Sequence, residues 1–230
     1  MVVWSVSPAG FATVVNGKVT GDKAGSCTVT ATAGGKSASC AVTVKTAELI
    51  YDLPDKIELI VGYNTKLKLL EHAATETPQY TILLDLKPRD NFEATTSTQV
   101  LYCMNETALK PAGINLGIDP NNGTLPFIYY SQAGLSLCDT IEHFKMRTRY
   151  AIQIDGKNFR GGSTHLALSD WNTTINALTD VPGSMIIGGA RDATSASFVN
   201  CLKGTLYQCK VYKGLLSDAK VKAFIEEGTV

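Results

Sequence analysis

The chain has 230 residues, with 21 Lys plus Arg balanced by 21 Asp plus Glu. That length holds one large β domain, or one domain beside a smaller module. The charge balance gives no long-range field favouring nucleic acid or an anionic membrane surface. No apolar run is long enough to insert across a bilayer. The opening Met1-Val-Val-Trp4-Ser-Val-Ser-Pro8 lacks a basic stretch followed by an apolar one, so no signal peptide is expected.

Composition changes near residue 46, because residues 1–46 contain no Glu and are rich in Ala, Thr, Val, Ser and Gly. Short β-branched runs come first, at Ala12-Thr-Val and Gly17-Lys-Val-Thr-Gly21. Then Gly25-Ser-Cys-Thr-Val-Thr-Ala-Thr-Ala33 and Ser37-Ala-Ser-Cys-Ala-Val-Thr-Val44 flank Gly34-Gly35, which predicts a hairpin. Alternation puts Cys27, Val29 and Ala31 on one face, opposite an inward set of Ala38, Cys40, Val42 and Val44. The elements Trp4, Ala12-Thr-Val, Gly17-Lys-Val-Thr-Gly21, Gly25-x-x-x-Val-Thr-Ala and Val42-Thr-Val44 occur in order. In that order they resemble the bacterial immunoglobulin-like group 2 domain. The likeness covers the second half of that domain, so a partial Ig-like sandwich over 1–46 is expected, either a truncated piece or one completed by packing on its neighbour or on another chain. The resemblance implies a spacer or adhesion module without chemistry.

Residues 47–230 alternate strand-like runs with polar loops. Strands are expected over 56–61, 80–86, 99–104, 127–130, 135–138, 150–154, 165–168, 185–187 and 202–212. Turn material separates them at Pro88-Arg-Asp-Asn91, Asp119-Pro-Asn-Asn-Gly123, Asp155-Gly-Lys-Asn158 and Gly161-Gly162. Many short strands punctuated in this way predict an all-β sandwich. The end differs: Ser217 caps an expected helix with an apolar stripe of Ala219, Val221, Phe224 and Ile225, closed by Gly228.

The last 48 residues, 183–230, are the most specific part. Met185-Ile-Ile-Gly-Gly189, then Leu202-x-Gly204-x-Leu206-x-x-Cys209-x-Val211-Tyr212, then the capped helix, resemble the C-terminal signature of the laminin G/concanavalin A-like jelly-roll family. Tyr80-Thr-Ile-Leu-Leu-Asp-Leu86 looks like that family's early core strand, and Arg149-Tyr-Ala-Ile-Gln-Ile-Asp-Gly156 like its central one. Residues 87–145 follow no pattern that aligns. The resemblance implies an antiparallel jelly roll over 47–230 and recognition of glycans or proteins more often than cleavage.

Catalysis is disfavoured by what is missing. Glycan-cleaving members of the fold carry E-x-D-x-x-E on one strand face, where alternation brings the carboxylates to one bond. Here Glu48, Asp52, Asp55 and Glu58 are misspaced and interrupted by Pro54. No G-x-S-x-G occurs. A glycan-cleaving site would have to assemble from Asp85, Asp139, Glu142, Asp155 and Asp170. Sugar binding needs an aromatic face with hydrogen-bonding side chains beside it. Asp170-Trp171-Asn172 is the best such triplet, although a tryptophan folded over the sandwich end reads the same way. Tyr130 and the loop Asn158-Phe159-Arg160 are the other binding candidates. Together the expected ligand-binding residues are Asp170, Trp171, Asn172, Tyr130, Asn158 and Arg160.

No metal is assigned. The histidines (His72, His143, His165) lack ligand spacing and no C-x-x-C occurs, which disfavours zinc. Calcium is possible at Asp119-Pro-Asn121-Asn122 or Arg191-Asp192-Ala-Thr194, whose oxygens suit it, though both are ordinary turn compositions. Of the 6 cysteines, Cys27, Cys40, Cys103, Cys138 and Cys209 are expected as buried free thiols. A Cys27–Cys40 or Cys201–Cys209 bridge also fits the even count. Sequons at Asn105, Asn122 and Asn172 are expected to be coincidental.

The expected function is non-catalytic recognition of a host or cell-surface glycan. The expected setting is a phage virion (fibre, decoration or receptor-binding protein), or a bacterial or extracellular surface. A purely structural virion protein, trimerising or docking without a ligand, and a hydrolase or lyase with an unfamiliar site stay open.

Overall fold

The computed structural model describes residues 1–60, 63–69, 79–89, 98–105, 110–119, 125–130, 145–156, 158–173, 183–191, 198–199 and 201–230. It divides into two compact units, Met1–Glu48 and Leu49–Val230. Among the described residues it is a set of antiparallel sheets with one helix near the end of the chain.

In the first unit, β1 (Val3–Ser7), β4 (Gly25–Ala33) and β5 (Lys36–Val44) form a three-stranded sheet. The β4–β5 hairpin turns at Gly34 and Gly35, whose φ angles of 56° and 73° suit a residue without Cβ. Register sets Cys27 opposite Val42 and Val29 opposite Cys40, so the apolar residues share a face as alternation requires. The other face carries hydroxyl pairs across the strands: Ser26–Thr43 at 3.3 Å, Thr30–Ser39 and Thr32–Ser37 at 2.9 Å. β2 (Ala12–Val15) and β3 (Lys18–Gly21) form a separate hairpin. Cys27 and Val29 are buried, but Ala38 and Cys40 are exposed. The expectation of a buried Cys40 is therefore corrected: it lies on the apolar face, where β5, at the sheet edge, stays uncovered.

The second unit is a sandwich. Its larger sheet runs β15 (Asn172–Thr173), β14 (Asn158–Ser163), β13 (Thr148–Asp155), β9 (Gln79–Pro88), β19 (Gly204–Lys213), β6 (Glu48–Asp52), with β7 (Ile57–Leu59) also paired to β19. The smaller runs β12 (Leu125–Tyr130), β11 (Lys110–Asp119), β10 (Thr98–Asn105), β16 (Gly183–Ile187), β8 (Tyr63–Leu69). Tyr80, Ile82, Leu84 and Leu86 of β9 point into the core with Tyr150, Ile152 and Ile154 of β13 and Leu206, Cys209 and Val211 of β19. Met185 and Ile187 of β16 enter the same core from the other sheet. Two short strands, β17 (Ala190–Arg191) and β18 (Phe198–Val199), pair with each other and lie between β16 and β19 in the chain.

The strand expectations need three corrections. Residues 158–160 are not a loop but the start of β14, and 165–168 form no strand beyond a bridge at Leu166. Strands β6, β8 and β11 were not anticipated, and the expected strand at 135–138 lies outside the described residues. Helix α1 spans Asp218–Glu227 with Ser217 and Gly228 as its caps, and buries Val221, Phe224 and Ile225. Ala219, expected on its apolar stripe, is exposed.

Cys27, Cys40, Cys201 and Cys209 are free thiols, so neither possible bridge is present. Burial, reinforced by the Asp52 charge, pushes the Cys209 thiol well above its ordinary value near 9.0. Burial and a 3.4 Å hydrogen bond from its hydroxyl to Tyr63 do the same to Tyr51, whose ordinary value is 10.0. Both groups keep their protons in the folded state at pH values where the unfolded chain releases them. Stability is therefore unaffected below about pH 9 and falls as pH rises beyond it. Thermal melts from pH 8 to 11 should show this decline, with a shallower slope for Cys209→Ala; equal slopes would refute the assignment. At pH 8, Cys40 should label rapidly with a maleimide while Cys27 and Cys209 label only in denaturant, as peptide mapping would show.

Candidate functional site

The two faces of β9 and β13 differ. Odd positions of β9 (Thr81, Leu83, Asp85) and alternate positions of β13 (Arg149, Ala151, Gln153) face away from the core. Most of these are buried nonetheless: Thr81 and Gln153 are 0% exposed and Asp85 is 1% exposed. Burying polar groups requires partners, and these residues have them. Gln153 Nε2 donates to Leu216 O at 2.7 Å and to Thr81 Oγ1 at 3.2 Å. Thr81 Oγ1 in turn accepts from Leu216 N and donates to Gly214 O, both at 3.0 Å.

The same network reaches the sheet edge through Arg160 of β14. Arg160 Nε donates to Gln153 Oε1 at 2.8 Å, and Nη2 pairs with Asp218 Oδ1 at 2.5 Å, in the first turn of α1. Its guanidinium lies 4.5 Å from the centroid of the Trp171 ring, a cation–π contact. Only 11% of the Arg160 side chain is exposed, against 39% of Trp171. Trp171 is thus not folded into the core: the Arg160 guanidinium lies over its ring while two-fifths of it faces water.

The loop carrying Trp171 is tied back to β14. Ser169 N donates to Gly161 O at 2.9 Å, and Gly161 N donates to Ser169 Oγ at 3.3 Å. Ser163 Oγ accepts from the amides of His165 and Leu166, both at 3.1 Å. At the end of the loop Asn172 and Thr173 pair with Phe159 and Asn158. Five expected ligand residues therefore gather along one edge: Asn158 and Arg160 on β14, with Asp170, Trp171 and Asn172 beside them. Asp170 is exposed and Asn158 is half-buried. Tyr130 is not brought there, because it ends β12 on the smaller sheet, opposite Ile114.

Gln153 and Asp218 were missed by the sequence reading. The one available signal was a glutamine inside a β-branched strand, Ile152-Gln-Ile154, where a buried amide needs a partner.

A second polar cluster lies on the same outer face. Arg147 donates to both Asp85 oxygens, at 2.9 and 2.8 Å, and stacks on Tyr207 at 3.8 Å. The hydrogen bond to Asp85 raises the Arg147 pKa. Arg149 donates to Ile225 O at 2.7 Å and Glu226 O at 2.8 Å, closing the C-terminus of α1.

The acidic residues considered for catalysis do not converge among the described residues. Asp85 is consumed by Arg147, Asp155 accepts from Gln79 at 2.9 Å, and Asp170 lies at the loop edge. Asp139 and Glu142 lie outside the described residues. No three His, Cys, Asp or Glu side chains among the described residues come together as a metal site. Of the calcium candidates, Asn121, Asn122, Asp192 and Thr194 are outside them. No described helix is long and apolar enough to cross a membrane.

The second unit is thus an antiparallel β-sandwich with a short C-terminal helix. It is similar to the CBM40 carbohydrate-binding module of the Ruminococcus gnavus IT-sialidase bound to α2,3-sialyllactose. That match has 15% identity and a TM-score of 0.54, over 77% of this chain and 99% of that one. The same module bound to α2,6-sialyllactose matches with a TM-score of 0.53 at 15% identity, over 77% and 99% of the two chains. A Trypanosoma rangeli sialidase matches at 13% identity with a TM-score of 0.56, over 82% of this chain but only 29% of its own length. No protein-family model and no curated protein matches the chain.

Proposed function

We propose that the chain is a non-catalytic recognition module that binds glycan along the β14–β15 edge, with Trp171 as its platform. Residues 47–230 are read as a laminin G/concanavalin A-like domain, and 1–46 as a partial Ig-like spacer. The setting proposed is a phage virion or a bacterial surface. One observation carries the site: Trp171 keeps 39% of its surface in water while Arg160 fixes its ring. An exposed aromatic held in place loses little entropy on binding a sugar, which favours recognition over chance exposure. Asp170, next to Trp171 in the chain, and Asn158 of β14 are the hydrogen-bonding side chains assigned to the site. The likeness in fold to modules seen with sialyllactose supports glycan as the ligand class. A second reading, a structural subunit without ligand, is favoured by the exposed Ala38 and Cys40 on the apolar face of the first unit.

A glycan array probed with wild type and Trp171→Ala tests the choice. Binding should fall about 30-fold or more in the variant, as for a central aromatic anchor. Running the array with and without a calcium chelator separates a metal-free site from one that uses the possible calcium, because only the latter loses binding in chelator. No binding by a folded wild type would transfer the reading to the structural alternative.

A further inference from the structure

We infer that two copies of the chain join along the outer edge of β5, antiparallel and two-fold symmetric about Cys40. β5 ends the sheet formed with β1 and β4, and among the described residues no strand pairs with its far side. An edge strand presents a row of unpaired amides and carbonyls, which proteins usually guard with charge, proline, a bulge or a short length. β5 has none of these guards. It runs nine residues in unbroken register with β4, and Ser37 to Val44 include no charged residue and no proline. β1, at the opposite edge, is five residues long and stops before Pro8.

The register decides which groups β5 offers. Ala33 and Lys36 close a two-residue turn as a hydrogen-bonded pair, so the even-numbered residues of β5 bond to β4. The alternate pairs are not hydrogen-bonded and bring side chains closer, which fits the 2.9 Å contacts of Thr30–Ser39 and Thr32–Ser37. Ser37, Ser39, Ala41 and Thr43 therefore turn their amides and carbonyls outward. An axis at Cys40 sets Ser37 against Thr43, and Ser39 against Ala41, of the second copy as hydrogen-bonded pairs. Ala38 then faces Val42, Lys36 faces Val44, and Cys40 faces its own counterpart. Each face continues into its like, whereas a slip of one residue would mix them. Lys36, the one charged residue of the strand, falls at opposite ends of the pair. β5 is thus its own complement, and a second copy is the occupant that closes the assembly. The two Cys40 residues form a non-hydrogen-bonded pair with Cα atoms about 4.5 Å apart, within reach of a disulfide.

Light scattering on the full chain in reductant tests the pairing. At about 0.1 mM it should show twice the 24.6 kDa of one chain, reverting on dilution. Copper phenanthroline in air should then link the dimer, the thiols losing protons and electrons to dioxygen, and a digest should yield a Cys40–Cys40 peptide. Cys40→Ser should keep the dimer and lose the link. Cys40→Lys sets two ammonium groups on the axis and should weaken association at least about tenfold. Ala41→Pro removes one outward amide without breaking a bond to β4, and should weaken it similarly. Circular dichroism matching wild type identifies folded variants; Cys40 is exposed, so Cys40→Lys carries the test if Ala41→Pro misfolds. A single-chain mass at the higher concentration would overturn the inference. So would a dimer that folded Cys40→Lys leaves intact, or one linked only through other cysteines.

Discussion

The Gly204→Ala variant should lose about 3 kcal/mol or more of stability, the upper end of the range for overpacking. A Cβ on Gly204 would lie 2.3 Å from Lys87 O, 2.8 Å from Pro88 Cα and 3.0 Å from Lys87 C. All three atoms are backbone of β9 or its end, and Gly204 pairs with Pro88 in the ladder. No rotamer change relieves such a clash, so strands β9 and β19 must separate. Both are central in the larger sheet, and their separation reaches the core through Leu86 and Leu206. For a chain of this size the melting temperature of the second unit should drop by about 6–12 °C. A shift within 2 °C in calorimetry would show that the strands yield more easily than the spacing implies.

Phe224→Ala should cost about 3–5 kcal/mol, the usual range for deleting a buried aromatic ring. Phe224 is 0% exposed and among the largest fully buried side chains of the protein. Its loss loosens α1 from the sheet, and α1 presents Asp218 to Arg160. The effect should therefore extend to the candidate site. In a Trp4→Phe background, which leaves Trp171 as the sole tryptophan, acrylamide should quench fluorescence more strongly once Phe224 is removed. Quenching equal to that of the parent, alongside the stability loss, would show that Trp171 is held independently of the helix. Ala219→Ser should change neither property by much, because Ala219 is exposed and serine is a slightly poorer helix former.

The sequence announced elements wherever one periodicity acted alone. Tyr80–Leu86 shows why: its core face carries Tyr80, Ile82, Leu84 and Leu86, and burial on both faces explains the extra apolar Leu83. The caps of α1 and the Gly34–Gly35 turn were equally plain, because backbone geometry selects their residue types. Other strands were hidden by residues that usually break them. β11 carries Pro111, Gly113 and Gly117, and β14 carries Gly161 and Gly162. At Gly162 the reason is spatial, since a Cβ would come within 3.0 Å of backbone atoms of Leu166 and Leu168. That loop folds back on the strand, and nothing local encodes it.

The site divides in the same way. Trp171 between two polar residues was visible as a candidate, but the burial of Arg160 was not. Arg160 depends on Gln153, 7 residues away, and Asp218, 58 residues away. Only the folded sheet makes these neighbours, and they change what Arg160 can do.

The two ends of α1 are fastened to adjoining strands of one sheet. At its start Asp218 pairs with Arg160, and Gln153 holds the carbonyl of Leu216 just before it; at its finish Arg149 clasps two carbonyls. A 10-residue helix has little stability alone and would ordinarily fray from either terminus. Fastened in this way, it has no free end from which to unzip. Its amides should resist deuterium exchange as long as those of β9 and β13, and opening should require the sheet to open with it. The chain's final turn of structure would then be among its last to yield to a protease.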